Sequence, residues 1–218
     1  MKQGLSITNV LNAKFRTIAM NDEWRRVVGV PELTGTWMIF GAPKNGKTTF
    51  AMQLAKYLCG FGRVFYDSVE EGLSLTIQST MERVSMDEVN GKCMLLDREP
   101  VTDLIKRLHR QRSADFVFLD SVQFADLKFA EYKALKKAFP HKLFIYISHI
   151  NGGTPDGQVA KRIWRDCNVY FKVEGYRAFP VSRYGGGEPW TVWKEGAEKV
   201  WGQLTMDNGQ CRGVASNA

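Results

Sequence analysis

The chain has 218 residues, of which 44% are hydrophobic and 24% are charged, and its formal net charge is +7. These values are typical of a globular domain with a core of several strands, and they exclude disordered and fibrous classes. No apolar run is long enough to cross a bilayer, and residues 1–6 lack the apolar block of a signal peptide. We therefore expect a cytoplasmic protein with no membrane partner. The basic charge is compatible with a polyanionic partner, although many basic proteins bind no nucleic acid.

The four cysteines are scattered, and none of them forms a C-x-x-C pair with another. This spacing argues against a metal cluster or a disulfide framework. Free thiols are expected at Cys59, Cys93, Cys167 and Cys211.

Residues 1–30 differ in pattern from the rest of the chain. The segment Ile7 to Ile18 has apolar residues at helical spacing, and Asn21 is a candidate N-cap for a second short helix that ends at Val27. No strand pattern occurs before Leu33. We predict an N-terminal helical arm over 1–30 that packs on the core or on a neighbouring subunit, a core over 31–205, and a flexible tail over 206–218.

A phosphate-binding motif follows the apolar run Thr36–Phe40 and precedes a helical pattern over Thr49–Cys59. The motif is G-x-x-x-x-G-K-[ST] in a strand–loop–helix setting, in which glycines let backbone N–H groups turn towards a phosphate. The start of the following helix adds its positive end, Lys47 can reach the β- and γ-phosphates, and Thr48 can bind Mg²⁺. We expect ATP to contact Gly41, Ala42, Pro43, Lys44, Asn45, Gly46, Lys47, Thr48 and Thr49.

Strand and helix patterns alternate after the motif, which predicts βαβ units and an α/β fold with a mostly parallel sheet covered by helices on both faces. The strands are expected at Arg63–Asp67, Cys93–Leu96, Asp115–Leu119 and Lys142–Ser148. The helices are expected at Leu73–Val84, Val101–Arg112 and Leu127–Phe139. After Asp166, short apolar runs between glycine-rich turns predict a C-terminal antiparallel extension built from Val169–Val173, Ala178–Val181 and Thr191–Trp193.

Two acidic positions are candidates for the catalytic chemistry of such a sheet. Asp120 ends the apolar strand before it, at the edge where open α/β sheets bind ligands, and can hold Mg²⁺; the alternative is a helix N-cap. Glu70 and Glu71 follow the second strand, and either one can orient the attacking water. The alternative for this pair is stabilisation of the next helix through its dipole.

Three further features lie later in the chain. His149 follows the strand after Asp120 and precedes a glycine-rich segment, 152–158, that we expect to be a mobile loop. The cations of the next segment span one helical turn and either face a nucleic-acid backbone or lie on a solvated helix face: Lys161, Arg162 and Arg165. Arg183, at a glycine-rich turn, is either an arginine finger for a neighbouring subunit or an ordinary turn residue.

The order of these motifs resembles the RecA-like core ATPases, with RadA-type recombinases and DnaB-type replicative helicases as the best matches. The resemblance spans roughly residues 33–201, and it rests on Gly41–Thr48, Ser68-Val69-Glu70, Asp120 without a following Glu, His149 before a glycine-rich loop, and Ser182-Arg183-Tyr184-Gly185. It implies that Glu70 is the catalytic glutamate, Asp120 the magnesium-site aspartate and His149 a γ-phosphate sensor linked to a DNA-binding loop. Arg183 would act across the interface of a hexameric ring or filament.

One departure from the family pattern concerns Val181, where RadA proteins carry a lysine two residues before the arginine. The length leaves no room for a zinc ribbon or a helicase N-terminal domain, as in compact RecA-core proteins of phages and mobile elements. The resemblance implies a Mg²⁺- and ATP-dependent oligomer acting on single-stranded DNA in recombination, annealing or unwinding. The alternatives are a nucleotide-switched loader or accessory module with little hydrolysis and a small-molecule kinase, which the absence of an Arg-rich lid segment disfavours.

Overall fold

The computed structural model describes residues 4–203, and within them eight strands form the central sheet. The strands, in chain order, are β1 (Gly35–Gly41), β2 (Val64–Ser68), β3 (Cys93–Asp97), β4 (Phe116–Asp120), β5 (Leu143–Ser148), β6 (Ile150–Asn151), β7 (Thr154–Pro155), β8 (Val169–Glu174), β9 (Arg177–Ser182) and β10 (Trp190–Thr191). The helices are α1 (Ile7–Leu11), α2 (Asp22–Val28), α3 (Lys47–Leu58), α4 (Leu75–Arg83), α5 (Val101–Leu108), α6 (Phe129–Ala138), α7 (Gln158–Asp166) and α8 (Lys194–Trp201).

The sheet order is β10-β9-β8-β1-β5-β4-β2-β3, and the six strands from β8 to β3 are mutually parallel. β9 and β10 extend the sheet in antiparallel fashion beyond β8. Because every parallel strand ends at the same edge, the loops after β1, β2, β4 and β5 converge there. This arrangement confirms the predicted α/β class, its mostly parallel sheet and its antiparallel extension.

The central strands are apolar on both faces because helices cover both sides of the sheet. One buried layer includes residues of α2, α3 and α4, such as Trp24, Phe50 and Ile77. The other includes residues of α5, α6 and α7, such as Leu104, Leu135 and Ile163. All five residues of β2 and of β4 are buried, so the polar residues at their ends are held on rigid supports.

The N-terminal segment differs from the prediction in one respect. α1 ends at Leu11 and not at Ile18. The chain beyond it is extended, because Ile18 N–H bonds the Pro31 carbonyl at 2.8 Å and Thr17 pairs with Glu32. These pairings satisfy backbone groups that a longer helix would have used internally.

The second helix begins as predicted, since the Asn21 side chain accepts a hydrogen bond from Trp24 N–H. Trp24 is buried and stacks on Tyr57 of α3 and on Trp190 of β10. Residues 4–15 are exposed. The division into arm, core and tail stays a prediction, and the tail over 206–218 lies outside the described residues.

Three other segments differ from the sequence prediction. The segment after His149 forms a two-stranded hairpin, β6 and β7, rather than an irregular loop. The run Val169–Val173 is not purely an antiparallel addition, because β8 also pairs in parallel with β1. The final helix, α8, was not predicted at all. Among residues 4–203, no helix is both long and apolar enough to cross a membrane.

Candidate nucleotide-binding site

The phosphate-binding motif forms the turn between β1 and α3. Gly46 is the N-cap of α3 with φ +91°, a left-handed conformation that glycine adopts without strain, and no side chain caps the helix. The first N–H groups of α3 therefore have no side-chain acceptor. Gly41 lies so close to β8 that an added Cβ would approach the Val173 carbonyl oxygen to 2.1 Å. Both positions fit a loop whose backbone surrounds a phosphate group.

Two side chains fix the conformation of this loop. Lys47 Nζ donates to the Ala42 carbonyl at 3.0 Å, so the ammonium group lies across the loop. Asn45 donates to the Pro43 carbonyl and accepts from Gly175 N–H at 2.8 Å, which ties the loop to the turn between β8 and β9. Burial lowers the pKa of Lys47, whereas Asp120 and Glu70 raise it. A cation facing two carboxylates beside free helix N–H groups is a donor set that fits a Mg²⁺-bound triphosphate.

Asp120 ends β4 beside the end of β2, where it pairs in register with Ser68. The Tyr66 hydroxyl donates to its Oδ2 at 2.6 Å. Burial raises the pKa of Asp120 to about 6, against the opposing effect of the Tyr66 hydrogen bond; Glu70 raises this pKa further and Lys47 lowers it. A buried carboxylate kept beside another acid is costly, which is typical of functional positions and of metal sites.

Asp120→Asn should raise the free energy of unfolding of the nucleotide-free protein by about 1–3 kcal/mol at pH 7.5. Above pH 6 the native state buries a charged carboxylate, which the unfolded chain keeps in water, so this charge destabilises the native state. As the pH falls from 6 towards 4 the native state takes up the proton first, so wild-type stability rises and the advantage of the variant disappears. Urea unfolding at both ends of this range measures the difference.

The matched control is Asp126→Asn, which changes an exposed carboxylate on the loop after β4. It should leave stability nearly unchanged at both pH values, because an exposed charge is solvated in either state. If Asp120→Asn is no more stable than wild type at pH 7.5, the ionised carboxylate does not destabilise the native state.

The two glutamates after β2 have different partners. Glu70 Oε2 lies 3.0 Å from His149 Nε2 and accepts a hydrogen bond from Ser121 Oγ at 3.1 Å. The Glu70 N–H also donates to the Asp120 carbonyl at 2.9 Å, which holds this residue beside the end of β4. Glu71 instead accepts a hydrogen bond from the Thr76 hydroxyl in the first turn of α4. Of the two, Glu70 shares the edge with Lys47 and Asp120.

Gln123 links this group to the β6–β7 hairpin. Its amide donates to Ser148 Oγ at 2.9 Å and to the Asp156 carbonyl at 2.8 Å. Asp156 N–H bonds the His149 carbonyl at 2.9 Å, which closes the base of the hairpin. The contacts run from Glu70 through His149 to the hairpin, so the end of β5 and this segment form one connected unit.

Arg183 lies at the opposite edge of the sheet from its own phosphate-binding loop. Its N–H bonds the Asn168 carbonyl just before β8, whereas Gly41 pairs with Val173 near the end of β8. The five residues between these points correspond to about 16 Å along the strand. The side chain of Arg183 is therefore far from the site of its own chain.

The three cations of α7 do not form one free surface. The Arg162 guanidinium lies 3.7 Å from the centre of the Phe129 ring in α6, a cation–π contact. Lys161 is half-buried. Arg165 and Arg183 line the same cavity of about 290 Å³ beside the start of β8. The predicted row of three equivalent cations is thus divided between an internal contact and this cavity.

Comparisons with known proteins place this geometry in a known fold. The structure is similar to flagellar accessory protein FlaH from Methanocaldococcus jannaschii, with a TM-score of 0.56 and 15% identity over 83% of this chain and 96% of that one. It is also similar to the ATPase domain of a DnaB-type helicase, with a TM-score of 0.51 and 14% identity over 77% and 84% of the two chains. The chain has the fold of a RecA-like P-loop ATPase core. Family models and curated protein sequences give no match.

Sequence reasoning missed four polar residues of this RecA-like core. Ser121 and Gln123 follow Asp120 in the chain, and their place at the ligand edge was a usable signal. Tyr66 reads as an ordinary strand residue, and only the register of β2 against β4 reveals its contact with Asp120. The contact of Asn45 with Gly175 depends on a turn that is 130 residues away.

Proposed function

We propose that this chain is a Mg²⁺-dependent ATPase that acts on single-stranded DNA as a homo-oligomer. The observation that carries the proposal is the convergence of Lys47, Asp120 and Glu70 at one sheet edge, next to the uncapped N-terminus of α3. In that arrangement, a cation, a metal-binding carboxylate and a second carboxylate surround the place where a triphosphate fits.

Each residue has one role in this account. Lys47 and the first N–H groups of α3 bind the phosphate oxygens, and Thr48 and Asp120 hold Mg²⁺, which neutralises charge that develops on those oxygens. Glu70 orients water and accepts its proton. His149 and Ser121 are positioning residues that fix the Glu70 carboxylate through hydrogen bonds of about 3 Å.

Oligomerisation follows from the location of Arg183. Since Arg183 cannot reach the phosphate-binding loop of its own chain, a catalytic arginine at this position requires a second subunit. A ring or a filament brings one subunit's β9 end against another's phosphate-binding edge, and both assemblies repeat this contact. The arginine then neutralises charge on the transferring phosphoryl group.

The DNA partner is proposed from α7 and the hairpin that precedes it. Replacing Lys161, Arg162 and Arg165 together with Ala should weaken binding to single-stranded DNA and lower the salt slope by up to about two, at roughly 0.7 per phosphate contact. Fluorescence anisotropy over a salt series measures both quantities. Phe129→Ala is a control that removes the cation–π partner of Arg162 and keeps all three charges. An unchanged slope in the triple variant would assign these cations to a solvated face.

A second candidate is a nucleotide-switched DNA-binding or loader module with little intrinsic hydrolysis. It is favoured by the distance between Arg183 and its own phosphate-binding loop, because an isolated subunit then lacks an arginine at the γ-phosphate. Phosphate release measured with and without single-stranded DNA separates the two candidates. The ATPase proposal expects multiple turnovers that DNA accelerates, whereas the module binds ATP and DNA with turnover that stays near zero in both conditions.

A further inference from the structure

The charges of the loops are distributed unequally between the two edges of the sheet. Loops that leave the ends of the parallel strands contain five acids and three Lys or Arg, whereas connections that enter those strands from helices and the 3₁₀ turn contain two acids and five Lys or Arg. The edge with the phosphate-binding loop is thus net negative, and the opposite edge is net positive. The β6–β7 hairpin and its flanks, residues 149–157, contain no Lys or Arg.

A groove on the positive edge gathers part of this charge. It has a volume of about 580 Å³, and it lies where the chain enters β2, β3 and β4. Its lining residues are Cys59, Gly60, Gly62, Arg63, Gly91, Lys92, Arg112, Ser113 and Asp115. Three cations on three separate connections therefore surround one concave surface that is lined elsewhere mainly by small residues.

The cations are held in place but not neutralised. Arg63 Nη1 donates to the Arg112 carbonyl at 2.8 Å, so the two arginines are fixed next to one another. Among residues 4–203, none of the side chains of Arg63, Lys92 and Arg112 makes a salt bridge. Asp115, the one carboxylate of the lining, accepts from Arg63 N–H at 3.0 Å. Arg112 has φ +58°, a conformation usually left to glycine, so this turn carries a large cationic side chain despite a backbone cost.

The lining favours a phosphodiester backbone over an acidic peptide. Peptide recognition draws on aromatic and apolar pockets, and this groove contains no aromatic residue and no large aliphatic one. Its glycines allow a chain to approach closely, and arginine side chains match phosphate geometry. Without aromatic side chains for base stacking, recognition is confined to the backbone and is independent of sequence.

We propose that this groove is a nucleic-acid backbone site, on the edge opposite the nucleotide site and independent of ATP. It shares only the ligand class with the proposed function, since none of its residues lies in the phosphate-binding loop or in α7. A strand bound here lies at the edge where Arg183 is found, away from Glu70 and Asp120. The protein then has nucleic-acid contacts that persist when the nucleotide site is empty.

The test is binding of fluorescein-labelled oligo-dT of about 30 nucleotides, and of a duplex of about the same length, in EDTA without nucleotide. The groove variant Arg63→Gln, Lys92→Gln, Arg112→Gln is compared with a control of equal charge loss, Arg25→Gln, Lys194→Gln, Lys199→Gln, whose residues do not line the groove. The groove variant should bind about 10- to 100-fold more weakly at about 0.1 M salt, with a salt slope lower by about two. The control should change binding by less than about threefold.

Loss on both probes supports a site for any backbone, and loss on oligo-dT alone restricts the site to single strands. Unaltered affinity for a fluorescent ATP analogue verifies the fold of the groove variant. Lys92→Gln alone, which removes no side-chain hydrogen bond found in residues 4–203, should still lower the slope by about 0.7.

Three results overturn the inference. The first is a groove variant no weaker than the control. The second is a loss confined to the Lys161, Arg162, Arg165 variant, which leaves the proposed DNA-dependent ATPase intact while the groove site fails. The third is poly-glutamate that binds as tightly as oligo-dT with the same dependence on the groove, because this result assigns the groove to acidic peptides.

Discussion

Glu70→Gln should leave ATP affinity within a few-fold of wild type and reduce hydrolysis by about 10² or more. The amide keeps the shape of the side chain and can still bond His149 and Ser121, so the local structure is retained. It cannot accept the proton of the attacking water. A fluorescent nucleotide titration and a phosphate-release assay separate the effect on binding from the effect on chemistry.

Glu71→Gln is the matched control, because Glu71 is the next residue and has the same carboxylate. Its partner is Thr76 in the first turn of α4, so its substitution should alter local stability slightly and hydrolysis by less than about threefold. If Glu71→Gln has the large effect and Glu70→Gln does not, the assignment within this pair is wrong.

Arg183→Ala should bind ATP normally and lose roughly 10³ in hydrolysis, which is the lower end of what an arginine finger supplies. Binding is kept because Lys47, Thr48 and Asp120 of the same chain are intact. Catalysis is lost because the neighbouring site has no arginine at the transferring group. The measurement is phosphate release at saturating ATP in the assembled state. Arg165→Ala is a matched control, since Arg165 lines the same cavity.

Mixing Arg183→Ala with Glu70→Gln protein tests whether the arginine acts between subunits. An interface between a wild-type Glu70 site and a wild-type Arg183 of its neighbour is complete, so mixtures should recover part of the activity. An arginine acting within its own chain gives no recovery, because every subunit carries one defect. A mixture that co-assembles by light scattering and stays inactive contradicts an inter-subunit site.

Much of the fold was predictable because the strands are short apolar runs whose order is fixed by local signals. The phosphate-binding motif identifies β1 and α3, and the alternation of patterns from Arg63 to Ser148 identifies most of the parallel sheet. The two-residue strands β6 and β7 carry no periodic pattern, so the hairpin was read as a loop. The extended segment after Leu11 forms because Ile18 pairs with Pro31, a contact that periodicity does not contain.

The candidate site was predictable where strand ends determine position. Asp120 and Glu70 each follow a parallel strand, so the rule for ligand edges brings them together. The choice between Glu70 and Glu71 depends on side-chain partners, His149 for one and Thr76 for the other, and adjacent residues give no sequence signal for this. The position of Arg183 required the register of β9 against β8, which links residues 13 apart in the chain at one end of the hairpin.

The most direct test of the central claim is phosphate release by the purified protein with Mg²⁺ and ATP, compared with Lys47→Ala. Removing the ammonium group deletes a phosphate contact from the loop, so the variant should lose ATP binding or turnover while its unfolding transition stays close to that of wild type. The account predicts Mg²⁺-dependent turnover in wild type and none above background in the variant. Equal turnover by Lys47→Ala, or wild-type activity that persists in EDTA, would contradict it.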